Sequence, residues 1–364
     1  MVENKQDKED KQNRQNRQNT QNKQDKSDKQ EYDIPLKILT IKDRKILKEL
    51  FDNGRVPFSI IARRVGHSKE VVNYRVKKLM DKGILIGFNT VIDVNKLGWQ
   101  IYFINIRLRN IDDVVEEEII KLMVNHPNIA QVLKCIGNYD IILKVFVKDY
   151  VEANTLMKNI EMKFRTHIDE CAIDFVENEY PIPLPFLYEP FKIKEYHSAP
   201  KKDTAPVSIL PTDLQILKAL SDNARIPVAE IAEKINISGE LVRYHLKKLE
   251  KNNLIVKYRP SAWSGSKSIG YSWYMIMLKV NEINKDRHRK LQSYIINNSN
   301  MTYHYKCIGQ HDILFEIRLK TSDELNLVLM DIRSILKNDL KSHELSIILK
   351  EYKYTYFPDC LLDE

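Results

Sequence analysis

Apolar positions along this chain follow two rhythms, and the whole pattern then starts again. Between residues 43 and 80 they recur every three or four positions: Ile46, Leu47 and Leu50, then Ile60, Ile61 and Val65, then Val72, Val76 and Leu79. That period puts each set on one face of a helix. The third set follows Ser68, a good N-cap, and Gly83 ends its helix. Residues 84–92 read as a short hairpin, so the order helix, helix, turn, helix, hairpin predicts a winged helix-turn-helix. From residue 100 the rhythm becomes strand-like: strands are expected at 100–109, 130–136, 140–148 and 172–179, with helices at 114–125 and 151–164. The order βαββαβ is that of a ferredoxin-like unit, an antiparallel sheet with both helices on one face. Its open face must be covered, and a second such sheet is the natural cover.

The chain supplies that second sheet. Residues 43–86 and 213–256 align without a gap at an offset of 170, with 18 of 44 positions identical. The second copy repeats the helical framework in Ile216, Leu217 and Leu220, Ile231 and Ile235, and Ser238, Val242, Leu246 and Leu249. Its strands are expected at 272–280, 302–308, 313–320 and 344–352, and its helices at 287–297 and 323–337. The predicted class is α+β. Winged helix-turn-helix units span 38–95 and 212–265, and ferredoxin-like (βαββαβ) domains span 98–180 and 270–357. A unit built twice is expected to be used as a pair.

Two segments fall outside the repeat. Residues 1–32 are Gln, Asn, Lys, Arg and Asp with almost nothing apolar, the composition of a disordered tail. Eight Lys/Arg against six Asp/Glu in residues 1–30 favour a solubilising tail over a basic arm. Residues 181–211 hold seven of the 13 prolines and read as a tether. Phe186, Leu187, Tyr188 and Phe191 suggest that its first half packs on a domain.

The 364 residues carry 58 Lys+Arg against 50 Asp+Glu, a net charge of +8 that allows a polyanionic partner without requiring one. No apolar run has the length of a membrane span, and no hydrophobic leader precedes the first domain, so the expected location is cytoplasmic. The four cysteines have no metal-ligand spacing. Cys135 and Cys307 sit at equivalent places in apolar strands and read as reduced core residues. There is no Gly-rich phosphate loop, no H-E-x-x-H and no nucleophile elbow, so no catalytic residue, metal or cofactor is assigned. His304 and His311 read as a strand residue and a turn residue.

The third helix carries the strongest functional signal. Between 68 and 82 there are five Lys/Arg and two acids, and between 238 and 252 four against two. Such a helix fits the major groove, its first turns on base edges and later cations on phosphates. Ser68, Lys69, Asn73 and Arg75 are therefore candidate base or groove-wall contacts. Lys77, Lys78, Arg243, Lys247 and Lys248 are candidate phosphate contacts. A second matched feature is the turn Lys134-Cys-Ile-Gly-Asn-Tyr-Asp140, repeated as Lys306-Cys-Ile-Gly-Gln-His-Asp312. It reads either as a tight structural turn or as a rim where a small molecule is held.

In this order and spacing the chain resembles the Lrp/AsnC family of transcription regulators. The marks are Asp43-Arg-Lys-Ile-Leu-Lys, Asp52-Asn-Gly-Arg55, Ile61-Ala62, Ser68-x-x-x-Val72-x-x-Arg75-Val-x-x-Leu79, Gly83-Ile84, Asp93-Val-Asn-Lys-Leu-Gly98 and Gly137-Asn-Tyr-Asp140. The resemblance implies a regulator that binds double-stranded DNA, with sheet domains that dimerise and bind amino-acid effectors near the Gly-x-x-Asp turn. By resemblance alone, Gly137, Asn138, Tyr139 and Asp140, with Gly309, Gln310, His311 and Asp312, become candidate effector contacts. Intramolecular pairing of the copies is expected, and a homodimer or higher oligomer stays open. Copy two departs at His245 for Arg75, at Asn253 for Gly83, and in its wing region 258–267, which puts its DNA reading in doubt. Two other readings stay open: a metabolite sensor or scaffold that does not bind DNA, and an enzyme like the sirohaem decarboxylases, which resemble this architecture.

Overall fold

A computed structural model describes residues 39–182, 184, 187–188, 207–262, 270–281 and 284–362. The polar tail, most of the tether and residues 263–269 lie outside these. The first copy runs α1 (Ile41–Asp52), α2 (Phe58–Val65), α3 (Lys69–Asp81), β1 (Leu85–Ile92), β2 (Gln100–Leu108), α4 (Asp113–Asn125), β3 (Ile129–Gly137), β4 (Ile141–Val147), α5 (Tyr150–Lys163) and β5 (Ile168–Pro181). The second runs α6 (Pro211–Asp222), α7 (Val228–Lys234), α8 (Gly239–Lys251), β6 (Ile255–Ala262), β7 (Ser272–Val280), α9 (Lys285–Asn297), β8 (Met301–Gly309), β9 (Ile313–Leu319), α10 (Ser322–Leu336) and β10 (Leu340–Tyr354).

The two sheets do more than face each other. They close into one eight-stranded barrel of order β10-β3-β4-β2-β5-β8-β9-β7. Its two seams join the copies: β5 pairs with β8 from Asp174↔Gly309 to Pro181↔Tyr303, and β10 pairs with β3 from Ser346↔Gly137 to Tyr354↔Gln131. Closure removes the exposed edges of both sheets. Eight strands also leave an interior that side chains can fill. Phe103, Leu133, Ile142, Met275, Tyr305 and Leu314 fill it, in one apolar cluster continuous with the cores of both helix-turn-helix units. Helices α4 and α5 cover the outside of the first sheet, and α9 and α10 the outside of the second.

One expectation fails locally. Residues 84–92 form no hairpin; β1 is a single strand whose antiparallel partner is β6 of the other copy. A lone eight-residue strand with no turn cannot satisfy its own ladder, and the equivalent strand of the repeat supplies the missing groups. The copies also exchange helix contacts here, α6 packing on β1 and α1 on β6.

Reciprocal bonds hold the pair about a pseudo-two-fold axis. Gly54 N donates to Tyr258 O and Ala224 N to Phe88 O, each at 2.7 Å. Arg55 donates to the carbonyl of Ala224, while Arg225 donates to those of Gly54 and Val56. The Arg225 guanidinium also stacks 4.0 Å from the Phe58 ring centroid. In the tether, Leu187 and Tyr188 are buried, the Tyr188 ring 5.6 Å from that of Phe51. Phe186 and Phe191 lie outside the described residues.

Candidate nucleic-acid interface

The recognition helices α3 and α8 are built alike. Ser68 caps α3 by accepting from Val71 N at 3.3 Å, and Ser238 caps α8 by accepting from Leu241 N at 3.2 Å. Val72, Val76 and Leu79 are buried on one side, as are Val242, Leu246 and Leu249. Both helices end on a left-handed residue, Gly83 at φ 66° and Asn253 at φ 52°. Asn tolerates that conformation better than other side chains, so this departure of copy two preserves the helix end.

The outward faces hold most of the candidates. Lys69, Asn73, Lys77 and Lys78 are exposed on α3, and Arg243 and Lys247 on α8. Arg75 is held differently. Its guanidinium turns inward, 2.8 Å from Asp43 Oδ1 and 3.1 Å from Thr40 Oγ1. It thereby ties α3 to the capping box at the start of α1. A guanidinium held by a part-buried carboxylate acts as a strut that positions the helix. Burial works against the charge of Asp43, but Thr40 and Arg75 hold its pKa below the ordinary value.

Copy two keeps the same tie with different chemistry. His245 Nδ1 lies 2.6 Å from Asp213 Oδ1, with Lys248 Nζ 3.3 Å from the other oxygen. Burial again opposes the charge of Asp213, but the Leu210 N–H, His245 and Lys248 lower its pKa. The Arg75/His245 mismatch is thus a substituted strut, and Lys248 is partly committed to it. The larger divergence sits elsewhere. Residues 58–82 carry seven Lys/Arg against two acids, whereas residues 228–252 carry five against four: Glu230 and Glu233 of α7 stand where α2 has Ile60 and Arg63, and Gly239 stands where α3 has Lys69.

The repeated turns are joints between the copies. Gly137 lies so close to β10 that a Cβ would meet Leu345 O at 2.3 Å, and at Gly309 it would meet Ile173 O at 2.4 Å. Only glycine fits either approach. Asn138 N donates to Leu345 O at 3.0 Å, and Leu345 N returns a bond to Asn138 Oδ1 at 3.1 Å. Asp140 accepts from Leu108 N at 2.7 Å, and Asp312 from Val280 N at 2.8 Å. Tyr139 is buried, edge-on to the His311 ring at 6.0 Å, while Gln310 is exposed.

His311 does more than its turn position suggested. Its N–H and Nδ1 each lie 2.7 Å from Asp174 of copy one, and Nε2 lies 3.2 Å from Glu344. Burial opposes the charged ring, but the hydrogen bonds and charges of Asp174 and Glu344 outweigh it and raise its pKa. His304 instead stacks on Tyr180, ring centroids 5.1 Å apart, and burial pushes its pKa down to about 4. Burial likewise pushes the thiols of Cys135 and Cys307 up, as befits core residues. Deeper in the barrel, Glu316 accepts from Tyr305 at 2.9 Å and Trp273 at 3.1 Å, and burial pushes its pKa up to about 7.

Two cavities lie away from these turns. One of about 600 Å³ sits between α6 and α7, bordered by Leu214, Ala219, Ile226 and Leu362. In copy one, Glu49 stands where Ala219 does and pairs there with Lys48 and Arg64, at 3.0 and 2.9 Å. The other, of about 490 Å³, lies between α9 and α10.

Comparison with known proteins fits this geometry. A family model described as winged helix-turn-helix DNA-binding matches residues 39–86 and 209–256. The regulatory protein AsnC of Haemophilus influenzae is 32% identical over 116 residues, covering 32% of this chain and 76% of that protein. The chain belongs to the Lrp/AsnC family. LrpB, an HTH-type transcriptional regulator of Bacillus subtilis, is 29% identical over 152 residues, covering 42% of this chain and 96% of LrpB. The siroheme decarboxylase NirDL shares the fold at a TM-score of 0.59 over 87% of this chain and 94% of its own, with 15% identity. Lrp/AsnC relatives match about one copy of the present chain, which carries the unit twice.

Sequence reasoning gave no role to Tyr74 and Tyr244, exposed on the recognition helices, to the strut carboxylates Asp43 and Asp213, or to the clamp residues Arg55 and Arg225. A signal for them existed: each type is identical in both copies.

Proposed function

We propose that this chain is a DNA-binding transcription regulator of the Lrp/AsnC family that carries both readers of its pair in one polypeptide. The observation that supports this most is the reciprocal clamp of Arg55 and Arg225, which holds two capped recognition helices on one body with their cationic faces open to solvent. Paired helices of this kind suit two half-sites about one helical turn apart. Lys69 and Asn73 are read as groove contacts, and Lys77, Lys78, Arg243 and Lys247, exposed on the same helices, as phosphate contacts. The first unit, richer in cations, is read as the stronger reader, so the preferred site is asymmetric.

The sheet turns are read as the joint of the barrel rather than as an open effector site, because the Gly137 and Gly309 approaches and the Asn138 amide are spent on the opposite copy. An amino acid or other metabolite acting there would work by loosening that joint. The likeness to NirDL is one of fold, and His304 and His311 are already engaged in packing and in carboxylate bonds. No enzymatic role is assigned.

The test is selection of bound fragments from random DNA by the full chain, followed by footprinting and a salt series. Expected are two unequal protected half-sites and an affinity that falls steeply with salt. Failure to retard any fragment at low salt would overturn the reading.

A further inference from the structure

Tyr74 and Tyr244 occupy the same place on α3 and α8, and they are 65% and 64% exposed. Both point away from the buried sides of their helices. Three residues earlier, Val71 and Leu241 are 37% and 42% exposed, so each outward face carries an apolar pair one turn apart. Among the described residues neither tyrosine hydroxyl has a hydrogen-bond partner. An aromatic ring left in water contributes little to folding, and a chain that places two such rings at equivalent positions invites a contact partner. Their neighbours have diverged, Lys69 to Gly239 and Asn73 to Arg243, while the rings have not.

What the surroundings offer narrows the partner. Lys77 and Lys78 follow Tyr74 along α3, and Lys247 follows Tyr244 along α8. Cations of that face set on the phosphate walls would leave the ring beside them turned to the groove floor. The floor of the major groove is polar except for one feature, the 5-methyl group of thymine. Building on the DNA reading above, we propose that Tyr74 and Tyr244 are specificity-determining residues. Each ring packs on a thymine methyl in its own half-site, while the divergent neighbours set what differs between half-sites.

The experiment uses the full chain and its selected fragment, with each thymine replaced in turn by deoxyuridine, which removes only the methyl. Wild type is expected to lose about 3- to 10-fold in affinity at one thymine per half-site. Tyr74→Phe should keep both the affinity and this sensitivity. Tyr74→Ala should bind the thymine site about 5- to 20-fold more weakly and no longer distinguish deoxyuridine at that position, its thermal unfolding unchanged. A Phe variant as weak as Ala would place the hydroxyl on a phosphate and overturn the inference. So would an Ala variant that still senses the methyl, or a wild type that senses none. If no fragment is selected, the DNA reading itself fails, and this inference with it.

Discussion

The two helix-turn-helix units share a framework and differ in surface. Their caps, buried stripes and helix ends superpose in kind: Ser68 with Ser238, Val72 with Val242, left-handed Gly83 with left-handed Asn253. Even the strut from the recognition helix to the first helix survives a change from Arg75 to His245, because the carboxylate it meets, Asp43 or Asp213, was kept. What changed is charge on the outer surface. Arg63 stands where the second unit has Glu233, and Lys69 stands where it has Gly239. Two substitutions seen in sequence as loss of reading, His245 and Asn253, are structural equivalents, while the changes of charge lie on the solvent side.

The largest expected effect tests the inequality directly. Lys77→Ala with Lys78→Ala should weaken binding to the selected site about 10- to 100-fold near 100 mM salt and flatten the salt slope. The matched pair Lys247→Ala and Lys248→Ala should cost about 5-fold or less, as read by fluorescence anisotropy. Equal losses, with thermal unfolding unchanged in both variants, would show that the readers are equal.

The clamp that sets the readers' spacing comes next. Arg225→Ala removes bonds to Gly54 O and Val56 O and a stacking contact on Phe58. It should lower unfolding free energy by about 2–3 kcal/mol in urea melts. Footprints of this variant should contract toward the first half-site.

The strut offers a smaller contrast. Arg75→Ala strands the part-buried Asp43 carboxylate and should cost about 1–2 kcal/mol. Arg75→His, which installs the second unit's solution, should recover about half of that. Loss of base preference in Arg75→Ala at unchanged stability would restore Arg75 to the reading surface. At the helix ends, Gly83→Ala forces a Cβ into a left-handed conformation and should cost about 1 kcal/mol, whereas Asn253→Gly should be near neutral.

The two turns differ as the readers do, Tyr139 facing His311 across the axis. Because the pKa of His311 is raised in the folded chain, its contribution is complete below its ordinary value of 6.5 and is lost as pH rises through the elevated one. Glu316 acts in the same direction over a lower window, between 4.5 and about 7. Thermal unfolding followed from about pH 7 to about pH 8.5, above the range where the buried neutral His304 acts in the opposite direction, should therefore show declining stability, and His311→Gln should remove the upper part of that decline. An unchanged profile in the variant would dissociate His311 from the joint.

Much of this protein is legible in the linear order of its residues. The strand and helix order can be read because each element buries one face, and the burial period of strands and helices is written in the spacing of Ile, Leu and Val. The recognition helices can be read because capping by Ser68 and Ser238 is a local event. The cover of the open sheet is foreseeable, since an apolar face must find a partner.

What the linear order leaves open is which groups meet across the repeat. Residues 84–92 look like a hairpin because a strand's partner carries no mark in the strand itself, and β6 lies some 170 positions away. Arg75 looks like a base reader because a cation on a helix is equally at home facing DNA or facing Asp43, and only the packing of α3 on α1 selects one. The Gly-x-x-Asp turns read equally as a structural turn or a ligand rim because their partners, Leu345 and Ile173, belong to the other copy. Periodicity and capping are properties of neighbours in the chain, so sequence suffices for them. Pairing, burial of charge and closure of the barrel depend on distances through space, and those exist only once both copies have folded onto each other.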